Sequence, residues 1–451
     1  MKRVLIANRG EIALRVVQAA RKLGIESLAV YTDADARSLH VLQADRAVRI
    51  GPNTPSLSYL NQTAIVHVAQ TEECDAIHPG YGFLSENSEF AALCETEGIQ
   101  FIGPSSDTIQ RMGNKVQART EAIRAGVDVV PGSSESCAGS QEAKLEAVRI
   151  GYPILIKARG GGGGRGMRVV NDESVFTAEF KQASVEAESA FGDPTMYLER
   201  YLDKIRHIEV QILGDADGKV VVLGERDCTV QRRHQKLVEE APCPVIDNDV
   251  RRRLHDCAVQ LGESIGYRGA GTVEFVLTQD RKQFYFIEMN TRIQVEHPVT
   301  EQLFGIDLIE AQLRVACGES VDEVVKSPSS NGHAIEFRIN AEHWRNRFMP
   351  SPGKIQGWKL PAGSGVRVDT HCYETFSISP YYDSMIAKLI VHGHDRDHAL
   401  RRAACAIKEF EITGIETTLG FHQQLLQDDS FRTGNIDTTW VEREFLNGER
   451  T

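Results

Sequence analysis

Glu288-Met-Asn-Thr-Arg-Ile-Gln-Val-Glu296 is the stretch on which the reading of the chain turns. Side chains of a β-strand alternate between its faces. An extended backbone here puts Glu288, Asn290, Arg292, Gln294 and Glu296 on one face, and Met289, Thr291, Ile293 and Val295 on the other. A solvated edge strand is the plain alternative, but such edges are usually rich in Lys and Thr. Acid, amide and guanidinium groups in one row suit a charged small-molecule site better.

The preceding residues sharpen this. Gly271 to Leu277 and Phe284 to Ile287 read as strands, rich in β-branched and aromatic residues, with the polar Gln279 to Gln283 as a hairpin loop. Pairing symmetric about Arg281 sets Glu274 directly opposite Glu288. Facing carboxylates repel unless a cation sits between them. Oxygen ligands on rigid strands favour Mg²⁺ or Mn²⁺ over zinc, and Mg²⁺ usually brings a nucleotide's phosphates with it. The pair points to ATP.

Composition sets the frame. The 451 residues allow two to four domains. A net charge of −12 argues against non-specific binding to nucleic acid or an anionic membrane. The basic run Arg251 to Arg253 reads as a solvated helix face. Nine scattered cysteines without a C-x-x-C pair fit a reducing, cytoplasmic compartment rather than a disulfide framework or zinc site. The first residues hold too few apolar side chains for a signal peptide or membrane span.

Outward from the opening stretch, the first hundred or so residues alternate strand and helix, as a doubly wound parallel sheet requires. Strands are expected at Val4 to Ala7, Ser27 to Tyr31, near Ala76, and at Gln100 to Ile102, with a helix over Glu11 to Lys22. The first turn, Asn8 to Glu11, lacks G-x-G-x-x-G, so no dinucleotide is assigned. His78 to Asn87 follows a strand at the carboxyl edge, where such sheets hold ligands, and reads equally well as a structural loop with two glycines. Ile154 to Val170 reads as strand, glycine loop, strand: neither a Rossmann nor a P-loop motif, but a flap whose bare amides approach phosphates, with Lys157 in reach. Thr195 to Leu202 is a short strand suited to an adenine edge. His207, Glu209 and Gln211 share a face of a period-two strand, His207 in a hydrogen-bonding role. Glu225 to Lys236 reads as a polar loop, anion-facing or solvated. Helices are expected from Asn248 to Ile265 and from Gly305 to Cys317. Ala334 to Asn340 is a further strand with Glu336, Arg338 and Asn340 on one face. His392, His394 and His398 lie in a polar loop and read as solvated surface rather than a metal cluster.

With these residues in place, the chain resembles the biotin carboxylase component of biotin-dependent carboxylases, in the ATP-grasp superfamily. The resemblance spans essentially the whole chain. Its most specific segments are Glu225-Arg-Asp-Cys228 with Gln231 to Lys236, and Phe286 to Pro298; the Arg-x-Gln-x-Glu-His-Pro continuation is characteristic of carboxylases. It implies a mixed α/β and α+β fold. An N-terminal parallel α/β domain would take residues 1–113. An ATP-grasp domain would take 114–330, its mobile glycine-rich lid about 131–202, and a C-terminal α+β domain 331–451. Lys115, Lys157, Gly163, Gly164, Glu199, Arg200, Tyr201, Leu202, His207 and His234 would hold ATP. Glu274, Glu288 and Asn290 would hold two Mg²⁺ or Mn²⁺ ions. Lys236, Arg292, Gln294 and Val295 would hold bicarbonate, and Arg338 with Tyr81 and Gly82 would face biotin.

The chemistry implied needs such a set. Glu296, beside Arg292, would take the proton that makes bicarbonate nucleophilic. Metals and lysines would neutralise charge on the γ-phosphate. The closing lid would protect carboxyphosphate from water. In the family scheme the released phosphate deprotonates biotin while Arg338 stabilises the enolate-like oxygen. Arg159 departs from the small residue common in the family before the glycines. With no Met-Lys-Met attachment motif and no carboxyltransferase region, the expected partners are a separate biotin carboxyl carrier protein, carboxyltransferase subunits and a second copy of the chain. Acetyl-CoA carboxylase is the first expectation for the pathway, a pyruvate or other acyl-CoA carboxylase the alternative. Two rivals remain: another ATP-grasp ligase joining an acid to an amine, and a non-catalytic nucleotide-binding regulator.

Overall fold

The computed structural model describes residues 1–133, 135–159, 167–326 and 329–446. Gly163 and Gly164 of the glycine run lie outside the described residues. Five parallel strands form the N-terminal sheet: β1 (Arg3–Ile6), β2 (Glu26–Thr32), β3 (Arg46–Gly51), β4 (Ala76–His78) and β5 (Gln100–Phe101), in the order β3-β2-β1-β4-β5. Alternation along β1 feeds two cores. Val4 and Ile6 pack with Ile12, Val16 and Ile309; Leu5 packs with Leu28, Val30 and Phe90. β3 escapes sequence reading because it carries two arginines and is largely exposed. The chain winds outward to β3 and returns beside β1, so the topological switch lies between β1 and β4. There the Asn8 amide donates to the carbonyls of Pro79 and Tyr81, both at 2.7 Å. Gly80 has φ +62, and a Cβ on it would stand 2.8 Å from the Asn8 amide nitrogen. Both conditions demand glycine.

A second, three-stranded sheet is antiparallel: β6 (Ile154–Ala158) lies between β7 (Met167–Val170) and β8 (Met196–Arg200). Helices Ser140–Ile150 and Glu173–Phe191 bury Ala143, Ala147, Phe176 and Phe180 with Ile154 and Ile156 of β6.

The largest sheet is antiparallel throughout. It contains β9 (Arg206–Gly214), β10 (Val220–Arg232), β11 (Gln235–Ala241), β12 (Gly269–Leu277), β13 (Phe284–Asn290) and β14 (His333–Asn340), with two further strands, Met385–Gly393 and Val366–Thr370. Their order is β13-β12-β9-β10-β11-β14, then Met385–Gly393 and Val366–Thr370. Period two decides its faces. Ile208, Val210 and Ile212 of β9 pack with Leu254 and Leu261 of the helix Asn248–Ser264, while His207, Glu209 and Gln211 point the other way. The sheet runs unbroken across 330/331, since β11 pairs with β14 from Val238↔Phe337 to Ala241↔Ala334.

Four sequence expectations need correction. Glu225 to Lys236 is not a loop but most of the β10–β11 hairpin, whose turn is only Arg233 and His234, with φ +48 and +63. Two successive positive φ values are what a two-residue hairpin turn of type I′ requires. The opening stretch is extended only as far as Asn290. Residues 291–296 then form a loop leading into the helix His297–Phe304, which Pro298 starts in its first turn. The helix expected from Gly305 to Cys317 is present but starts only at Leu308, because Gly305, with φ +64, caps the separate helix His297–Phe304. Finally, His392 belongs to a strand and His398 to a helix, although His394 is exposed. Among the described residues no helix is long and apolar enough to cross a membrane.

His40, His78, His371 and His422 are all buried. Burial lowers them to about 4, 4, 3 and 4 respectively. The unfolded chain would bind protons at these sites near pH 6.5, and the folded chain only at about 3 to 4. Their stabilisation is therefore complete above about pH 6.5 and is lost as pH falls toward 4. Thermal denaturation should show a loss of several kcal/mol between pH 7 and pH 4.5; a melting temperature flat over that interval would contradict the neutral assignment.

Candidate active site

A cavity of about 1010 Å³ lies between the three-stranded and the eight-stranded sheets. Lys157, Met167 and Glu199 to Leu202 line it from the smaller sheet; His207, Gln231, Lys236, Glu274 and Glu288 line it from the larger one. Lys115, first residue of the helix Lys115–Arg124, reaches it from one end. His234 projects from the β10–β11 turn, and Asn290, Arg292, Gln294, Val295 and Glu296 come from β13 and the loop after it. Arg338 closes the set from β14. Tyr81 and Gly82 are not among the lining residues; the Tyr81 hydroxyl instead donates to Glu11.

Glu274 faces Glu288 in the β12–β13 register, and a bulge follows at once, with Phe275 opposite Phe286. Symmetry about Arg281 therefore holds for the carboxylates but not for the whole hairpin. Bulges twist a strand locally and re-aim its side chains. Burial would raise Glu274, but Lys236 and His207 hold it well below the usual carboxylate range. Lys236 Nζ lies 3.1 Å and His207 Nε2 3.0 Å from it. The amides of Asn290 and Gln294 also donate to Glu274, at 2.7 and 2.9 Å. Glu288 moves the other way: burial, then the Glu274 charge, raises it. Among the described residues Glu288 has no hydrogen-bond or ion-pair partner. One paired carboxylate, one unpartnered carboxylate and an amide oxygen make a hard-oxygen set that fits a divalent cation.

The floor is a charge network. Arg226 is fully buried and donates to Glu209 from Nε, to Gln211 at 2.8 Å and Thr300 at 3.0 Å, and to Thr272 and Gln294 at 3.1 Å. All five guanidinium N–H bonds face polar oxygen. Lys236 sits between Glu209 at 2.6 Å, Glu274 and Glu296 at 2.6 Å. Burial pulls its ammonium down, but these carboxylates raise it well above the usual value. The other Glu296 oxygen meets Arg338 at 2.9 Å. Against burial, Lys236, Arg338 and Arg226 lower Glu296.

Arg292 bonds Glu86 at 2.8 Å and the Asn290 side-chain oxygen at 3.0 Å. At the lid side, Lys157 pairs with Glu199, and Arg159 with Asp193 at 2.8 Å. Burial lowers both Lys115 and His234, with Glu288 opposing the shift at Lys115.

Sequence reasoning missed four supports. Glu86 lies in the segment flagged at the carboxyl edge, but nothing there pointed to Arg292. Glu209 and Arg226 sat in view as polar members of their segments. Lys388, a lone lysine in the apolar run Met385–Gly393, was a usable signal. It is fully buried and holds Glu11 at 3.0 Å and the Val295 carbonyl at 2.8 Å.

Two facing sheets with a cavity lined by lysines and acids define an ATP-grasp ligase. Residues 114–324 match the ATP-binding domain of the carbamoyl-phosphate synthase L chain. Residues 1–109 and 336–443 match the N-terminal and C-terminal domains of biotin carboxylase. The chain is 50% identical over 442 residues to biotin carboxylase 1 of Bacillus subtilis, covering 98% of both. It is 48% identical over 440 residues to a pyruvate carboxylase subunit of Methanothermobacter thermautotrophicus, covering 98% of this chain and 89% of that protein. The solved biotin carboxylase–β,γ-ATP complex of Campylobacter jejuni superposes with a TM-score of 0.95 at 47% identity, over 98% and 99% of the chains. The biotin carboxylase domain dimer of Hydrogenobacter thermophilus 2-oxoglutarate carboxylase, with MgADP, ADP and bicarbonate, gives 0.94 at 45%, over 98% and 97%. The chain belongs to the biotin carboxylase family.

Arg226→Met would leave Glu209, fully buried, without its main cation. Removing one partner of a buried ion pair costs about 3–5 kcal/mol. Chemical denaturation of this variant should show a loss of that size, whereas a loss under about 1 kcal/mol would mean that Lys236 alone suffices for Glu209.

Proposed function

We propose that the protein carboxylates biotin held on a separate biotin carboxyl carrier protein, using ATP and bicarbonate by way of carboxyphosphate. One observation carries this reading: Glu296, a buried carboxylate, stands at the cavity floor between Lys236 and Arg338, with Arg292 and Gln294 alongside. That is an anion site with its own base. In the free protein Glu296 is a weak base because cations grip both its oxygens. When those cations turn toward the oxygens of bicarbonate, the Glu296 carboxyl rises and can take the bicarbonate proton. Arg292 and Gln294 then hold the nucleophile in place.

Lys115 and Lys157, with the lid glycines Gly163 and Gly164, hold the phosphates. Glu199 to Leu202, His207 and His234 surround the nucleoside. The amides of Arg200 and Tyr201 are already spent on Pro131 at 2.7 Å and Pro153 at 2.9 Å, so an adenine edge is left the Leu202 amide among these residues. Glu274, Glu288 and Asn290 fit two Mg²⁺ or Mn²⁺ ions, which when bound would neutralise charge on the transferring phosphoryl group. Closure of the β6–β8 sheet excludes water. Arg338 receives the biotin oxygen, with Tyr81 and Gly82 as the further residues facing biotin.

The domain division is 1–113, 114–330 and 331–451, and the working form is a homodimer, which the Hydrogenobacter domain dimer supports. Carboxyltransferase subunits complete the assembly in the cytoplasm. An acetyl-CoA carboxylase is the first pathway reading, supported by the stand-alone biotin carboxylases at 48–50% identity. A pyruvate or related carboxylase is the second, supported by the Methanothermobacter relative.

Phosphate release from Mg-ATP, measured with and without bicarbonate and free biotin, tests the reaction. Stimulation that needs both substrates is expected; turnover indifferent to both would overturn the proposal. Arg292→Ala and Glu296→Gln should each lower the biotin-dependent rate by about 10²-fold or more, since each removes a positioned charge from the transition state. A variant as fast as the parent would remove that residue from the chemistry.

A further inference from the structure

Behind Arg338 the sheet holds a second pair of facing carboxyls. Glu239 of β11 and Glu336 of β14 are direct partners in the antiparallel register, and both are fully buried. Facing side chains in such a pair stand about 5 Å apart at Cβ. Glu239 Oε1 accepts from Arg338 Nε at 2.6 Å and from Nη2 at 2.5 Å. Its Oε2 has no hydrogen-bond partner, and neither oxygen of Glu336 has one.

Other titratable groups surround this pair, among them the buried Cys228 of β10, whose thiol is pushed up by burial and by the neighbouring acids, Glu239 included. Arg338 lies on β14, Lys236 on β11, and Lys388 on the strand beyond. Glu296 comes from the cavity loop and His297 from the helix that follows it. Lys388 is committed to Glu11 and the Val295 carbonyl, Lys236 to Glu209, Glu274 and Glu296, and Arg338 to Glu239 and Glu296. His297 Nδ1 pairs with the Gln294 carbonyl. Among the described residues Glu336 has no ion-pair partner, and Lys388, the main cation acting on it, is held by Glu11 and the Val295 carbonyl.

A fully buried carboxylate without a donor is costly enough to take up a proton instead. One proton resolves all of this at once. Placed on Glu336 and donated toward Glu239 Oε2, it satisfies two of the three orphaned oxygens and leaves the pair with a single negative charge.

We propose that Glu239 and Glu336 share one proton, and that Glu239 is thereby a positioning residue that holds Arg338 against Glu296 with a matched single charge. The directions of titration agree. Burial raises Glu239 despite Arg338, and burial raises Glu336 well above the usual carboxylate range despite Lys388. A second negative charge would draw the guanidinium inward, away from the cavity; a second proton would release it. The positioning role rests on the proposed biotin carboxylation, whereas the shared proton does not.

The test begins with infrared spectroscopy of the full chain at pH 8. The parent-minus-Glu336→Gln difference spectrum should contain the C=O band of a protonated carboxyl, and its absence would overturn the shared proton whatever any variant does. Glu336→Gln replaces a neutral group by a neutral isostere, so it should keep biotin-dependent turnover within twofold of the parent. It should also remove any alkaline fall in rate that comes from loss of the shared proton. Glu239→Gln should lower kcat for the biotin-dependent reaction at least tenfold, leave KM for ATP within twofold, and be partly rescued by Glu239→Asp. Full turnover in Glu239→Gln would overturn the positioning role. A parent that ignores biotin would instead sink the proposed function and leave the infrared result standing.

Discussion

Each cation on the cavity floor is shared among several partners. Arg226 joins Glu209 to the amides and hydroxyls of neighbouring segments. Lys236 joins Glu209 to Glu274 and Glu296, and Arg338 joins Glu296 to Glu239. Buried ion pairs contribute little net stability against apolar packing, so a network of this size is better understood as a device for function. It keeps Glu274 and Glu296 ionised inside the protein, ready for cationic and anionic ligands, at the expense of strict geometric demands on β9 to β14. The apolar face of β9, packed on the helix Asn248–Ser264, meets those demands by fixing the strands on which the acids ride.

Chemical labour is split between the two sheets. The three-stranded sheet contributes lysine and backbone, which suit phosphates and a nucleoside. The eight-stranded sheet contributes paired acids and guanidinium groups, which suit metals and a small anion. The N-terminal sheet acts from outside the cavity. Its switch-point residues brace the floor through Glu86 on Arg292 and through Glu11 on Lys388.

Much of this was legible from residue order, because period two is a local property. The polar face His207, Glu209, Gln211 and the confrontation of Glu274 with Glu288 both follow from counting along strands. Counting failed where charge and burial coincide. Glu225 to Lys236 has the composition of a solvated loop, yet Arg226 and Asp227 lie in the interior because their partners arrive from other segments, 15 to 74 residues away. No local pattern reports that. The same limit hid Glu86, whose partner Arg292 is 206 residues distant. The loop Thr291 to Glu296 shows the opposite case: the extended reading was wrong past Asn290, but the loop still gathers Arg292, Gln294 and Glu296 on the cavity.

The continuity of the large sheet across β11 and β14 bears on how the chain can be divided. A cut between residues 329 and 332 falls just before β14, but separating the pieces would strip two strands at once. The first piece would present the open edge of β11 and the second that of β14, each a row of unpaired N–H and C=O groups with buried acids behind it. Such edges are templates for association. Fragments made at this point would thus be complementary halves, adhesive to one another, rather than independent modules.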